Sequence, residues 1–167
     1  LLSNVLEDLE LNGPHVTPGA VAHTISRAKN NGVMPEQFQP RPGYLIEKVA
    51  FEAWPVYQQQ LLTAAAVDFD DLLLHVFTLL KENPELRADL DERYRYVMVD
   101  EYQDTNLVQY GIVRALSLDN QNLAVTGDPD QSIYKWRGSD IKNILDFERD
   151  FPETRVITLS KNYRSTK

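Results

Sequence analysis

The residues best suited to chemistry sit in short polar segments, three of them directly after apolar runs. The first is Asp100-Glu101-Tyr102-Gln103-Asp104-Thr105-Asn106, after Tyr96-Val97-Met98-Val99. Asp100 would emerge at a strand tip, where a hard oxygen ligand suits Mg²⁺ with its retained waters. Glu101 is adjacent, and a second carboxylate beside a metal-bound phosphate can orient or deprotonate an attacking water. The competing reading is a pair of acids opening a surface turn. The second segment follows Leu123-Ala124-Val125 and runs from Thr126 to Gly138. Gly127, Asp128, Pro129 and Asp130 make a tight turn. Gln131 carries both a donor and an acceptor, which suits sensing a terminal phosphate or a water near it. Tyr134, Lys135, Trp136 and Arg137 combine aromatic faces with cations. Bases stack on such faces for roughly 1–3 kcal/mol each while cations hold the backbone. Against this stands burial of both aromatics in a core. The third segment, Ser160-Lys161-Asn162-Tyr163-Arg164-Ser165, follows Val156-Ile157-Thr158-Leu159. The Arg164 fork matches phosphate oxygens, and Tyr163 could stack on a nucleobase; a surface arginine and a packing tyrosine are the alternatives. A further turn, Asp68-Phe69-Asp70-Asp71, offers Phe69 as an exposed stacking platform or as the start of a buried stripe. Spacing favours the stripe.

Positioning such groups requires a parallel sheet, whose functional residues lie past the carboxyl ends of the strands. The three apolar runs read as strands buried on both faces. Helices are expected between them, from about Asn106 to Leu118, capped by Thr105 or Asp104, and from Ser139 to about Asp150, with Ile141, Ile144 and Leu145 on one side. This alternation implies an α/β fold. Residues 1 to about 92 read as helical. Candidates are Val5 to Leu11, Pro18 to Lys29, a helix from near Tyr44 that Pro55 kinks or breaks, and a short one over Glu85 to Arg93. The clearest begins at Asp68 as N-cap, with Asp70 and Asp71 in its first turn. Leu72, Leu73, Val76, Phe77 and Leu80 form its expected buried stripe, and Asn83-Pro84 stops it.

Composition narrows the function classes. A hydrophobic share of 43% and a charged share of 25% fit a globular chain, with no apolar run long enough for a bilayer. With no cysteine, disulfides and thiolate zinc sites are excluded, and a cytoplasmic setting is expected. His15, His23 and His75 are scattered singly. The net charge of −8 argues against a generic nucleic-acid coat. Residues 1–67 hold 4 basic and 6 acidic side chains, and the remainder 13 and 19, so both parts are acidic. Any nucleic-acid contact must therefore come from a local patch. The absence of an initiator Met suggests that the chain begins inside a longer protein.

Together these residues resemble the UvrD/Rep/PcrA family of superfamily 1 DNA helicases. Val99 to Asn106 looks like that family's motif II, Gly127 to Gly138 like motif III, and Asn162-Tyr163-Arg164-Ser165 like motif IV, in the family's order and spacing. Ser26-Arg27-Ala28-Lys29-Asn30 and the Asp68 to Leu73 segment look like its helical 1B subdomain and the return into domain 1A. The resemblance implies a helical subdomain over residues 1–66, followed over 67–167 by part of a RecA-like P-loop NTPase sheet. It implies ATP and Mg²⁺ as cofactors. Asp100 would hold the metal and Glu101 would activate water. Gln131 would contact the γ-phosphate and couple it to DNA, Tyr163 would stack on adenine, and Arg164 would reach the γ-phosphate. Tyr134, Trp136, Arg137 and Phe69 would contact single-stranded DNA. Partners would be single strands, duplex junctions, ATP and the remaining helicase domains, with no membrane. Family members move 3′ to 5′ and separate duplexes in repair or replication.

No Gly-x-x-x-x-Gly-Lys-Ser/Thr occurs in the 167 residues, so no such loop cradles phosphates here. The isolated chain is therefore expected to be inactive. Competing readings are a helicase subunit of a nuclease-coupled recombination complex and a non-catalytic DNA-binding module. An unrelated P-loop ATPase would leave the 134–137 patch unexplained.

Overall fold

The computed structural model describes residues 1–132 and 138–161. Its first half is helical: α1 (Leu2–Asp8), α2 (Pro18–Asn30) and α3 (Leu45–Thr63) precede α4 (Phe69–Glu82) and α5 (Pro84–Arg93). Thr17 caps α2, its hydroxyl accepting from the Ala20 amide at 3.2 Å, with Pro18 preset for the first turn. Val5 and Leu6 of α1, Val21 and Ile25 of α2, and Val49, Ala53 and Trp54 of α3 share one apolar core. Phe38 meets Trp54 edge to face, with centroids 5.6 Å apart.

The expected kink or break at Pro55 does not end α3, which runs on to Thr63. Phe51, whose carbonyl loses its amide partner to Pro55, lies like Pro55 on the exposed side, where water can take the free carbonyl. Near its start, α3 is tied to its surroundings by charge. Glu47 is buried, and its Oε1 accepts from Arg27 at 3.0 Å and from Arg41 at 2.5 Å.

α4 starts on a capping box in which the Asp71 amide donates to Asp68 Oδ1 at 2.9 Å. Lys29, at the end of α2, is buried between both carboxylates, 2.6 Å from Asp68 Oδ2 and 2.7 Å from Asp71 Oδ1. Tyr57 and Gln58 of α3 add bonds to Asp68 and Asp71. The stripe on α4 differs from the expected one. Leu74 and Leu80 are buried, Leu73 and Phe77 partly so, and Leu72 and Val76 are exposed. α2, α5 and α6 contact α4, and the described residues leave Leu72, Val76 and Leu79 on it exposed.

β1 (Val97–Val99) and β2 (Leu123–Val125) pair in parallel, with Val97 opposite Leu123 and Val99 opposite Val125. α6 (Leu107–Ala115) connects them, so the order strand, helix, parallel strand is as expected. Asn106, rather than Thr105 or Asp104, is its cap, accepting from the Gln109 amide at 2.8 Å. Asp91 of α5 anchors the turn before β2, accepting from the Asp119 and Asn120 amides at 2.6 and 3.1 Å. The expectation of strands buried on both faces does not hold: Met98 is 80% exposed, since the described residues cover only one face.

Two further expectations are corrected. The helix from Ser139 divides into α7 (Lys142–Leu145) and α8 (Phe147–Asp150), with Asp146 between them. The break lets Phe147 bury against Tyr102 at a centroid distance of 5.4 Å, while Leu145 and Ile141 stay exposed. Val156 to Leu159 forms no strand, and Leu159 is 90% exposed. A strand needs a hydrogen-bonded neighbour. Here a groove of about 700 Å³ is lined by both β2 and this segment, and the described sheet holds only β1 and β2. Among the described residues no helix is long and apolar enough to cross a membrane.

Candidate active site at the strand ends

Parallel register brings the ends of β1 and β2 side by side, so Asp100 and Thr126 are neighbours. The Thr126 hydroxyl donates a short hydrogen bond to Asp100 Oδ1, which also accepts from the Glu101 amide at 2.9 Å. These donors, Thr126 first, hold the Asp100 carboxyl below the usual carboxylate range. Backbone bonds fix the two ends: the Thr126 amide donates to Val99 at 2.8 Å, and the Tyr102 amide to Thr126 at 2.9 Å.

Glu101 adopts a left-handed backbone, φ 51° and ψ 41°. An ordinary side chain is strained there, by roughly 1–2 kcal/mol, and such strain persists only where surrounding bonds over-determine it. The turn Tyr102–Asp104 supplies those bonds, the Asp104 amide donating to the Glu101 carbonyl at 2.9 Å. Gln103 is buried, and its Nε2 donates to Glu101 Oε2 at 2.7 Å. Its Oε1 accepts from the Asp128 amide at 3.0 Å. One side chain thus spans both strand ends.

Gln103 and Thr126 are the positioning residues that the sequence reading passed over. A glutamine in a polar turn gives no sign of burial. The closest available signal was Gly127. A Cβ there would lie 2.6 Å from Gln103 Oε1 and 2.7 Å from Ile144 Cδ1, so only glycine admits this approach.

Of the expected site residues, Asp100, Glu101 and Gln131 belong to one bonded arrangement. Gln131 Nε2 donates to Asp128 Oδ2 at 2.6 Å, extending the chain Glu101, Gln103, Asp128, Gln131. Asp100, Glu101 and Asp104 also face a groove of about 400 Å³ whose apolar wall includes Leu73 and Ile112. Phe69 lies elsewhere, in the first turn of α4, and is 90% exposed. Its assignment to a buried stripe is thereby overturned, because α4 turns Leu74 rather than Phe69 toward its neighbours. Tyr134, Trp136, Arg137, Tyr163 and Arg164 lie outside the described residues. Among the described residues no three acidic or histidine side chains gather as a metal cage. Asp100 still fits a cation that takes one protein carboxylate plus phosphate and water. It is exposed, favours ionisation, and its Oδ2 makes no hydrogen bond among the described residues.

Comparison with known proteins agrees with the motifs. Residues 1–152 match the family model described as UvrD/REP helicase N-terminal domain. The chain is 42% identical over all 167 residues to "ATP-dependent DNA helicase PcrA" of Bacillus subtilis (strain 168), covering 23% of that protein. It is 40% identical over its full length to the proteins of the same name in Leuconostoc citreum and Staphylococcus aureus (strain NCTC 8325 / PS 47), covering 22% and 23% of them. The chain therefore spans less than a quarter of the length of these relatives. With the match extending over nearly all of its residues, the chain belongs to the UvrD/REP helicase family, in the region of that family's N-terminal domain.

Proposed function

We propose that this chain is part of an ATP-driven motor that moves 3′ to 5′ along single-stranded DNA and separates duplexes at junctions, acting in the cytoplasm. The observation that carries this reading is the acidic pair at the tip of β1, held against the tip of β2 by Thr126 and Gln103. In this reading Asp100 holds Mg²⁺, which when bound would neutralise charge on the ATP phosphates. Glu101 accepts a proton from the attacking water, and Gln103 keeps its carboxylate oriented. Gln131 contacts the γ-phosphate, and its bond to Asp128 links it to the Glu101 turn. Tyr163 stacks on adenine and Arg164 reaches the γ-phosphate. Tyr134, Trp136 and Arg137 grip the strand, and Phe69 adds an exposed stacking face.

Residues 1–66 would be the helical subdomain, and 67–167 part of a RecA-like sheet. The bare face at Met98 and the groove beside β2 support further strands and the remaining helicase domains as partners. ATP turnover by the full-length protein, with and without single-stranded DNA, tests the reading. DNA-stimulated turnover in wild type that falls at least about a hundredfold in Glu101→Gln is expected for loss of a general base. Equal rates in both proteins, indifferent to DNA, would instead favour a non-catalytic binding module.

A further inference from the structure

The last residue of α2, Asn30, is buried and bonded in two directions far along the chain. Its Nδ2 donates to Asp70 Oδ1 at 2.9 Å, beside Phe69 at the start of α4. The same amide donates to the Ser26 carbonyl at 2.8 Å within α2. Its Oδ1 accepts from Asn106 Nδ2 at 2.5 Å. Asn106 caps α6 and closes the acidic turn. Gly138 also approaches: a Cβ on it would lie 3.4 Å from Asn30 Cβ. In sequence Gly138 directly follows the basic-aromatic stretch 134–137. Asn30 therefore touches the segments next to both expected strand-gripping groups and the far end of the turn that carries Glu101.

That turn behaves as one hydrogen-bonded unit. Thr105 Oγ1 donates to the Tyr102 carbonyl at 2.7 Å, and Asn143 Nδ2 donates to the Thr105 carbonyl at 3.0 Å. The Asp140 amide adds a bond to the same carbonyl at 3.0 Å. Because Glu101 sits in a left-handed conformation, its carboxylate direction depends on the turn being held at both ends. Gln103 holds the near end, and Asn30, through Asn106, holds the far one.

We propose that Asn30 is a positioning residue through which the strand-gripping segments set the geometry of the Glu101 turn, coupling DNA binding to ATP turnover. This rests on the motor reading above. Strand contact at Phe69 would shift Asp70 against Asn30, and Asn106 would move with it.

The test uses the full-length protein, ATP and a single-stranded oligonucleotide. Asn30→Asp keeps the size and the acceptor toward Asn106, but sets a carboxylate against Asp70. The ratio of turnover with DNA to turnover without it should fall at least about fivefold, the lower end of site-to-site coupling. Adding Asp70→Asn supplies the donor from the other side and should restore part of the stimulation, the bond to the Ser26 carbonyl staying lost. If Asn30→Asp fails to fold, Asp70→Ala at a partly exposed position severs the same link and should lose stimulation equally. Intact stimulation in these variants, a parallel loss of basal and stimulated turnover, or no restoration by Asp70→Asn overturns the proposal. A wild type with no DNA stimulation would sink the motor reading itself, whereas stimulation that survives the variants removes only the role of Asn30.

Discussion

Gly127 has no room for a side chain, although it lies in an exposed turn. Gln103 must pass beneath it to reach Glu101 and the Asp128 amide at once. Gly127→Ala should therefore cost about 1–3 kcal/mol, the range for forcing an extra methyl into a packed place. Urea unfolding of the chain measures this, and a loss under about 0.5 kcal/mol, within the scatter of neutral surface changes, would show that Gln103 yields easily. Phe69 is the opposite case. Among the described residues it is 90% exposed, so Phe69→Ala should leave stability within about 0.5 kcal/mol of wild type. In the full-length protein it should still weaken single-strand binding by about 1–3 kcal/mol if a base stacks there. Fluorescence anisotropy with a labelled oligonucleotide reads the affinity, and unchanged binding would return Phe69 to a plain surface residue.

Among the elements, the start of α3 is held by charge rather than by apolar contact alone. Glu47 accepts from the Arg41 side chain, the Arg41 amide at 2.9 Å and Arg27, and these bonds lower its pKa to about 2. A carboxyl depressed in the folded state stabilises above its unfolded pKa, and that contribution is lost as pH falls through the folded value. The window here runs from the ordinary value of 4.5 down to about 2. Both arginines are about half exposed, so solvent screening limits the effect to on the order of 1 kcal/mol. Glu47→Gln should be less stable than wild type near neutrality, and the difference should shrink from about pH 4.5 downward and vanish only near pH 2, as the wild-type carboxyl is protonated. A difference in melting temperature that stays constant across this range would refute the assignment. α4 uses a related arrangement, with Lys29 between Asp68 and Asp71, but its partners come from three helices.

At the scale of the whole molecule, the described sheet has two strands, one bare face and a groove along β2. In the proposed reading the acidic turn would position a metal and a water, yet the 167 residues contain no Gly-x-x-x-x-Gly-Lys-Ser/Thr loop to hold phosphates. The 167-residue chain alone should therefore hydrolyse no ATP above the rate of a Glu101→Gln control. Phosphate release from the purified chain checks this, and turnover that disappears in the control would mean that another cradle exists within these residues.

Much of the fold was legible because its signals are local. Asp68 and the acids after it announce α4, Asn83-Pro84 marks its end, and the runs at 97–99 and 123–125 announce parallel strands. The pairing of Asp100 with Glu101 follows from their place after β1, and the motif order alone pointed to the family. What depended on neighbours distant in sequence was not legible. Spacing could not reveal that Phe69 faces outward, that Asn106 rather than Thr105 caps α6, or that the helix from Ser139 breaks so that Phe147 can reach Tyr102. Nor could it reveal that Val156 to Leu159 pairs with no strand among the described residues, since a strand exists only with a partner edge. Residue order by itself determined the identity of the chemical groups and the elements carrying them, because propensity, capping and periodicity act within a few residues. Only the tertiary structure decided how Gln103, Thr126 and Asn30 bind those groups together, because their partners lie up to 76 residues away and burial is a property of the packed chain.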